Sequence, residues 1–587
     1  FNVPNGWQCD NKNVEFIKDG KIDPTITDNS KEEYTRLYRD IGKVDSGRLI
    51  AEVYVHICSE DDGIYLGFTD ENKNLVAGIA TQNGYFALKG QNTVKTDVAV
   101  ATNNPVEYAI LLFADFDNKE MYAYINGKLT PTVDIDPMAS VLSLSIGSTP
   151  SGTGIAIPSH VRIYDNYAFA ETFAVSSSMT DKSVYTMDVS GNISVEEYSS
   201  ESSKDNHSAK IDAKKGQNSS ASKTFSRIYE KGIFESYILL PQNLNGAYFT
   251  LTSGENEVVK IESKDGAWYA GDTKLRNYTE NVWQTLRIET DASAKKALIK
   301  ICGKKAGETA ISAEYIDGIK IGINPDKDGI MWFDDITARM YVDHDDYPPV
   351  PKANNNGGYN VGIYVCNLWH DAVTREGWQA VTPFPELEPY LGFYDEGSPE
   401  VADWEIKMMA EHGIDFQHVC WYTPNYIVDE PIKKTTTSYA ALHDGYFNAK
   451  YSDMVKFCLL WENEGNSRGG SLEKFKEYYW KYWKEYYFSD SRYEVLDNKP
   501  IMSVWNYDNF IQFFGGLENA KQAVAFMRED IKTLGFDGII IIGGGLSPRN
   551  EKAESLGFDA TYYVHYAQAG SSAEHQINTL KNAAGTD

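Results

Sequence analysis

The sequence predicts a multidomain protein: two antiparallel β-sandwiches of jelly-roll type, followed by a (β/α)8 TIM-type barrel that is C-terminally incomplete. Three observations carry this. Short runs of alternating apolar and polar residues fill residues 1–346, the order of features within that stretch occurs twice, and beyond a Pro/Asn/Gly-rich linker apolar strands alternate with amphipathic helices. The expected domains are 1–172, 173–346, a linker at 347–358, and 359–587.

The sandwich strands come first. Arg48–His56, Gly63–Gly67, Gly84–Leu88 and Met121–Ile125 alternate in the two-residue period of a half-buried strand, with Asp-Asp-Gly and Asn-Gly turns between them. The same order then returns. Glu52-Val-Tyr-Val matches Glu235-Ser-Tyr-Ile, Asp115 matches Asp291, and Ile125-Asn-Gly-Lys128 matches Ile301-Cys-Gly-Lys304. Each copy closes on a similar strand, Ile163–Tyr167 and Trp332–Ile336. The offset between matches drifts slightly, as loop-length changes between two copies of one domain produce.

Six strands are expected after the linker: Val361–Val365, Ile414–Trp421, Val455–Trp461, Pro500–Trp505, Phe536–Ile542 and Ala560–His565. Between them, Ala520, Val524, Met527, Ile531 and Leu534 form one buried helical stripe, and Phe475, Tyr479, Tyr482 and Tyr486 another. A last helix is expected over 572–584. Continuous apolar strands alternating with helices indicate a parallel sheet, either a barrel or a doubly wound sheet. Gly543-Gly-Gly545 lacks dinucleotide spacing, and no phosphate-binding loop or GxSxG elbow occurs.

Composition excludes several classes. The 587 residues carry 55 Lys+Arg against 84 Asp+Glu, a net charge of −29 with no basic stripe, so no nucleic-acid partner is expected. No apolar run is long enough to span a membrane. The six cysteines lack CxxC or zinc spacing, so neither a metal site nor a disulfide framework is expected. No cofactor is expected either; a structural calcium on Asp165, Asp334 or Asp335 is left open beside the reading of these residues as turn formers. The chain opens on Phe1 rather than Met, which leaves room for a removed leader, and the expected location is extracellular or at the cell surface.

Both repeats resemble the laminin-G or concanavalin-type lectin sandwich in the strand with the Asn-Gly-Lys turn and in the final Asp-bearing strand. The resemblance implies carbohydrate binding, or a spacer role. Further on come Leu391-Gly-Phe-Tyr-Asp395, Ser398-Pro-Glu-Val401, Glu411-His-Gly-Ile-Asp415, His418-Val-Cys-Trp-Tyr422 and Phe457-Cys-Leu-Leu-Trp-Glu-Asn-Glu464. In that order, over about 356–566, they resemble the WbsX-like barrels related to glycoside hydrolase family 99. The resemblance implies a (β/α)8 barrel acting on glycans, retention at an α-mannosidic linkage, and a late pair of catalytic glutamates in an Asn-Glu-Trp-x-Glu segment. That segment is absent here, so the catalytic pair is unassigned and the chain is expected to be a piece of a longer protein.

Barrel chemistry gathers at the C-terminal ends of strands. The expected substrate-binding set is therefore Tyr364, Trp369 and His370, then Trp421 and Tyr422, then Glu462, Asn463 and Glu464, then Trp505, Asn506 and Tyr507, and finally His565. Rings stack on the apolar face of a sugar while amides and carboxylates take its hydroxyls. Glu462 and Glu464, about 6.6 Å apart at ~3.3 Å rise per residue, are the fallback acid–base pair. His418, inside its strand beside Cys420, reads as core. The leading reading is an endo-acting glycoside hydrolase held on polysaccharide by lectin-like modules. The alternative is a non-catalytic carbohydrate-binding or adhesion protein. Glycosyl transfer ranks last, because nothing resembles a nucleotide-sugar site.

Overall fold

The computed structural model describes residues 7–10, 14–15, 25–29, 31–59, 62–150, 152–165, 167–173, 187–198, 207–341, 347–369, 389, 391, 394–422, 430–433, 438–463, 470–545, 551–563, 572, 574–575 and 578. The helix expected over 572–584 lies almost wholly outside them.

The repeat read from the sequence is a repeat of topology. In the first copy one sheet has the strand order Lys128–Leu129, Glu120–Ile125, Val106–Asp115, Arg48–Cys58, Gly154–Asp165, Thr25–Asp28, Val14–Glu15. In the second the order is Lys304–Ala310, Lys296–Ile301, Gln284–Asp291, Lys231–Leu239, Gly329–Met340, Ser208–Ala213, Ile193–Glu196. The strands correspond one to one, and the opposing seven-stranded sheets correspond in the same way.

Two of the matched features are turn formers of these sheets, while Glu52 and Glu235 lie within corresponding strands. Asp115 Oδ1 accepts the backbone N–H groups of Asp117 and Asn118, while Asp291 Oδ1 accepts the Ala294 N–H and the Ser293 hydroxyl. Asn126 and Gly127 have φ of 48° and 73°, and Cys302 and Gly303 have 51° and 74°, the paired left-handed values of a type I′ hairpin. The Asn-Gly-Lys feature is thus hairpin chemistry.

Tyr167–Glu171 follows the last strand of the first sandwich and pairs antiparallel with Ile336–Arg339 of the second. The interior of the first sandwich is a separate apolar cluster, whereas that of the second merges with the interior of the α/β domain. A buried polar seam runs along this junction. Arg276 reaches Glu485 at 3.1 Å, Thr279 Oγ1 donates to Glu485 Oε2 at 2.5 Å, and Tyr439 donates to the Tyr237 hydroxyl at 3.2 Å.

All six expected strands of the α/β domain are present, as Gly362–Val365, Phe416–Tyr422, Lys456–Glu462, Lys499–Val504, Ile540–Gly545 and Ala560–Tyr563. They pair in parallel in chain order, with the short Val495–Leu496 strand antiparallel to the fourth. A doubly wound sheet reverses its order at a switch point; among the described residues this sheet does not. The closed eight-stranded barrel is a different matter. Among the described residues the sheet is a six-stranded parallel half-barrel, and no eight-stranded closure is present. In a flat sheet its first and last strands would lie about 24 Å apart. Instead the rings of Tyr364 and Tyr562, from those two strands, have centroids 5.5 Å apart across the concave face.

Outside the sheet, residues 472–488 form a helix with interleaved α and π turns that buries Phe475, Tyr479, Tyr482 and Tyr486. At the opposite ends of the strands, Asp415 accepts the Val361 N–H and Asp559 the Ile541 N–H, each tying one strand to its neighbour. Among the described residues no helix is long and apolar enough to cross a membrane.

Candidate functional site

Strand alternation sorts the α/β residues into two faces. Tyr364-Val365-Cys366 and His418-Val419-Cys420 run in parallel with Tyr364 beside His418, so ring lies beside ring and thiol beside thiol. The Tyr364 ring stacks on His418 at 4.8 Å and 10°, and on its other side meets Tyr562. Two residues beyond Cys420, Tyr422 lies beside Glu462 of the third strand. Tyr364 is 51% exposed and Tyr422 and Glu462 are half-buried, so this concave face is open at the strand ends.

Gly544 makes the arrangement possible. A Cβ there would sit 2.2 Å from the Trp505 carbonyl oxygen and 2.7 Å from the Tyr562 ring. The glycine run that lacked nucleotide-binding spacing is thus what lets a tyrosine lie across the next strand.

The charges follow from the packing. The Cys366 sulfur lies 3.1 Å from the Tyr422 hydroxyl and also hydrogen-bonds with the Cys420 thiol. The Cys420 thiol and then the Tyr422 hydroxyl lower the Cys366 pKa to about 6, against the opposing pull of burial. Cys420 is raised by the same bond, and Tyr422 is raised first by burial. Burial lowers His418 to about 4; its Nε2–H donates to the Leu459 carbonyl, so the ring is neutral at pH 7. Behind the first strand, Glu396 accepts the Trp369 N–H at 2.8 Å and the Asn367 side-chain amide at 3.1 Å. Burial and then the neighbouring Glu405 raise Glu396 to about 8, and burial raises Glu405 to about 7.

The structure gathers Tyr364, Tyr422 and Glu462 on the concave face and puts other expected residues to different use. Trp421 points the opposite way, packing edge-on against Trp483 at 5.3 Å and donating to the Tyr487 hydroxyl. Asn463 is 1% exposed; its amide donates to the Asn506 carbonyl and accepts the Asn506 N–H, joining the ends of the third and fourth strands. The Asn506 side chain caps the 507–513 helix by accepting the N–H groups of Asp508 and Asn509, and Tyr507 is buried in that helix. Trp505 is half-buried at the end of the fourth strand, and Trp369 is half-buried in the loop held by Glu396. His370, Glu464 and His565 lie outside the described residues.

Cys366, Cys420, Tyr562, Glu396 and Glu405 were not singled out from sequence. For the cysteines a signal exists: an aromatic-Val-Cys triplet in two successive predicted strands, which parallel pairing would align. Among the described residues no group of three or more His, Cys, Asp and Glu is placed to hold a metal ion. In the sandwiches, Asp334 spends one carboxylate oxygen on the N–H of Asp335. The open face therefore offers rings, phenol hydroxyls, a carboxylate and one acidified thiol.

Residues 383–586 match the family model described as glycosyltransferase WbsX. No curated protein matches the chain. Among solved structures, the chain is similar to the cellulose-induced protein Cip1, with 13% identity and a TM-score of 0.25 over 30% of this chain and 97% of that one. It is similar to mouse laminin α1 domains LG4–5, with 12% identity and a TM-score of 0.18 over 53% and 85%. A sialidase aligns with 7% identity and a TM-score of 0.25 over 47% of this chain, which spans 32% of the sialidase.

Proposed function

We propose that this chain is a glycan-directed protein whose α/β domain holds a pyranose on its concave face and hydrolyses glycosidic bonds within a polysaccharide. In this reading it works outside the cell or at its surface, with the two sandwiches keeping the polymer close. The observation that carries the reading is the meeting of Tyr364, Tyr562, Tyr422 and Glu462 on one open face. The exposed Tyr364 ring, stacked between His418 and Tyr562, offers its apolar edge to a sugar. Glu462 and the Tyr422 hydroxyl take the sugar hydroxyls. The WbsX family match over 383–586 supports the same substrate class.

Hydrolysis generally needs two carboxyl groups, one as acid and one as base or nucleophile. The catalytic pair is unassigned; Glu462 and Glu464 are the fallback for it, beside their use as ligands of sugar hydroxyls. The family description favours a second reading, glycosyl transfer, in which the same face binds the acceptor sugar.

The test is titration with α-mannooligosaccharides, followed by chromatography of the mixture. Saturable binding weakened roughly tenfold by Tyr364→Ala, with shorter oligosaccharides released, is expected; tenfold corresponds to about 1.4 kcal/mol. Binding without release would favour a non-catalytic binder, and chain lengthening from a nucleotide-sugar donor would favour transfer. No binding, or binding indifferent to Tyr364→Ala, removes the concave face as the site.

A further inference from the structure

A cavity of about 320 Å³ opens where both sandwiches and the α/β domain converge. That volume is at the lower end of the about 300–1,000 Å³ typical of small-molecule sites, which favour domain junctions. The first sandwich contributes Tyr164, the connecting strand Tyr167, the second sandwich Arg287 and Arg339, and the α/β domain Tyr347 and Lys450. None of these belongs to the concave face described above.

The lining has a definite chemistry. Tyr164 and Tyr167 lie with ring centroids 5.0 Å apart, and the Arg339 guanidinium is 5.8 Å from the Tyr167 centroid. Lys450 Nζ is held 3.5 Å from the centroid of the Tyr347 ring. Arg287 is balanced by Glu289 at 2.8 Å and Glu235 at 3.6 Å, so it stiffens the wall without adding net charge. Arg339 has no carboxylate partner among the described residues. The one acidic residue of the lining, Glu400, accepts the Ser398 hydroxyl at 2.8 Å. Cations and tyrosine rings thus line a cavity in a chain whose net charge is −29.

We propose that this junction binds a hexuronate, the carboxylated sugar of an acidic polysaccharide. Arg339 presents a planar fork matched to a carboxylate, Lys450, whose charge also faces Asp403, adds an ammonium donor, and the Tyr164–Tyr167 pair meets the apolar face of the sugar ring. A neutral sugar would leave the Arg339 charge without an anion, so the carboxylate carries the selectivity. Because all three domains contribute, occupancy also fixes their mutual placement. The inference stands apart from the activity of the α/β face.

The test is calorimetric titration of the whole chain with D-galacturonate, with D-galactose as the neutral control. Saturable galacturonate binding is expected, weakened at least tenfold by Arg339→Gln and by raised salt, unchanged by Tyr364→Ala, with no binding of galactose. Lys450→Gln reads the same site where Arg339→Gln fails to fold. The proposal is overturned if galacturonate does not bind, if galactose binds equally, if folded Arg339→Gln or Lys450→Gln binds like the parent, or if Tyr364→Ala abolishes binding.

Discussion

Cys366 shows how much one position gains from its neighbours. Its thiol follows the first strand, exposed, with the Cys420 thiol and the Tyr422 hydroxyl both placed to donate to it once it ionises. Two donors on one sulfur stabilise the thiolate, and the thiolate is the reactive form. Cys366 is therefore expected to alkylate with iodoacetamide well before the buried Cys58, Cys302, Cys420 and Cys458, with a rate that rises through about pH 6 and then levels off. Tyr422→Phe removes one donor, so the midpoint should move to higher pH; an unchanged midpoint would remove Tyr422 from the account. Gly544 gives a steric counterpart. Gly544→Ala forces the Tyr562 ring from its place against Tyr364, since the Trp505 carbonyl on the other side is backbone and yields little. Overpacking of this kind costs about 1–3 kcal/mol, measurable by urea unfolding, and should weaken sugar binding in step with Tyr364→Ala.

At the scale of elements, the two sandwiches use the same hairpin for different ends. In the second copy the Cys302-Gly303 turn is driven into the α/β domain: a Cβ on Gly303 would lie 2.7 Å from Phe447, and Cys302 is buried against Glu485. Glu485 is the centre of that junction, with its side chain 5% exposed and ion-paired to Arg276. Glu485→Ala strands the Arg276 charge in a poorly solvated place. The expected loss is about 3 kcal/mol, read from denaturant unfolding, whereas removing both partners together should cost less than the sum of the single changes. The 472–488 helix is the other decisive element. Its aromatic face buries Trp421 and Trp461 against the outside of the sheet, and Trp421→Ala is expected to cost about 3–5 kcal/mol of stability without a direct change at the concave face.

Over the whole molecule, the apolar interior comes in two pieces. The first sandwich has its own core, while the second sandwich and the α/β domain share one. Cooperative units follow cores, so scanning calorimetry is expected to give two transitions, the smaller belonging to the first sandwich. Glu485→Ala should lower only the larger one. Stability should also depend on pH through the buried Glu396 and the half-buried Glu405. Both have folded pKa values raised above the unfolded value, to about 8 and about 7, so their contribution is fully present below about pH 4.5 and is lost as pH rises through those values. Glu396→Gln, which keeps the shape of the protonated acid, should lose less stability than the parent over that window.

Much of this organisation is legible in the residues. Period-two alternation marks the sandwich strands, the drifting match between Glu52 and Glu235 or Asp115 and Asp291 marks the duplication, and six apolar runs mark the parallel sheet, because each pattern reflects a local backbone geometry. Side-chain direction at strand ends is harder to read. Trp421 and Tyr422 are neighbours in sequence and belong to opposite faces, and Asn463 and Asn506 have polar groups suited to a sugar yet spend them on the scaffold. Local sequence by itself determined the strands, the repeat, the turns and the acidic surface. Only the tertiary structure decided that the sheet rolls until Tyr364 meets Tyr562, that Cys366 gains two donors, and that three domains enclose a cation-lined cavity. These depend on contacts between residues tens to hundreds of positions apart, and no local period encodes such contacts.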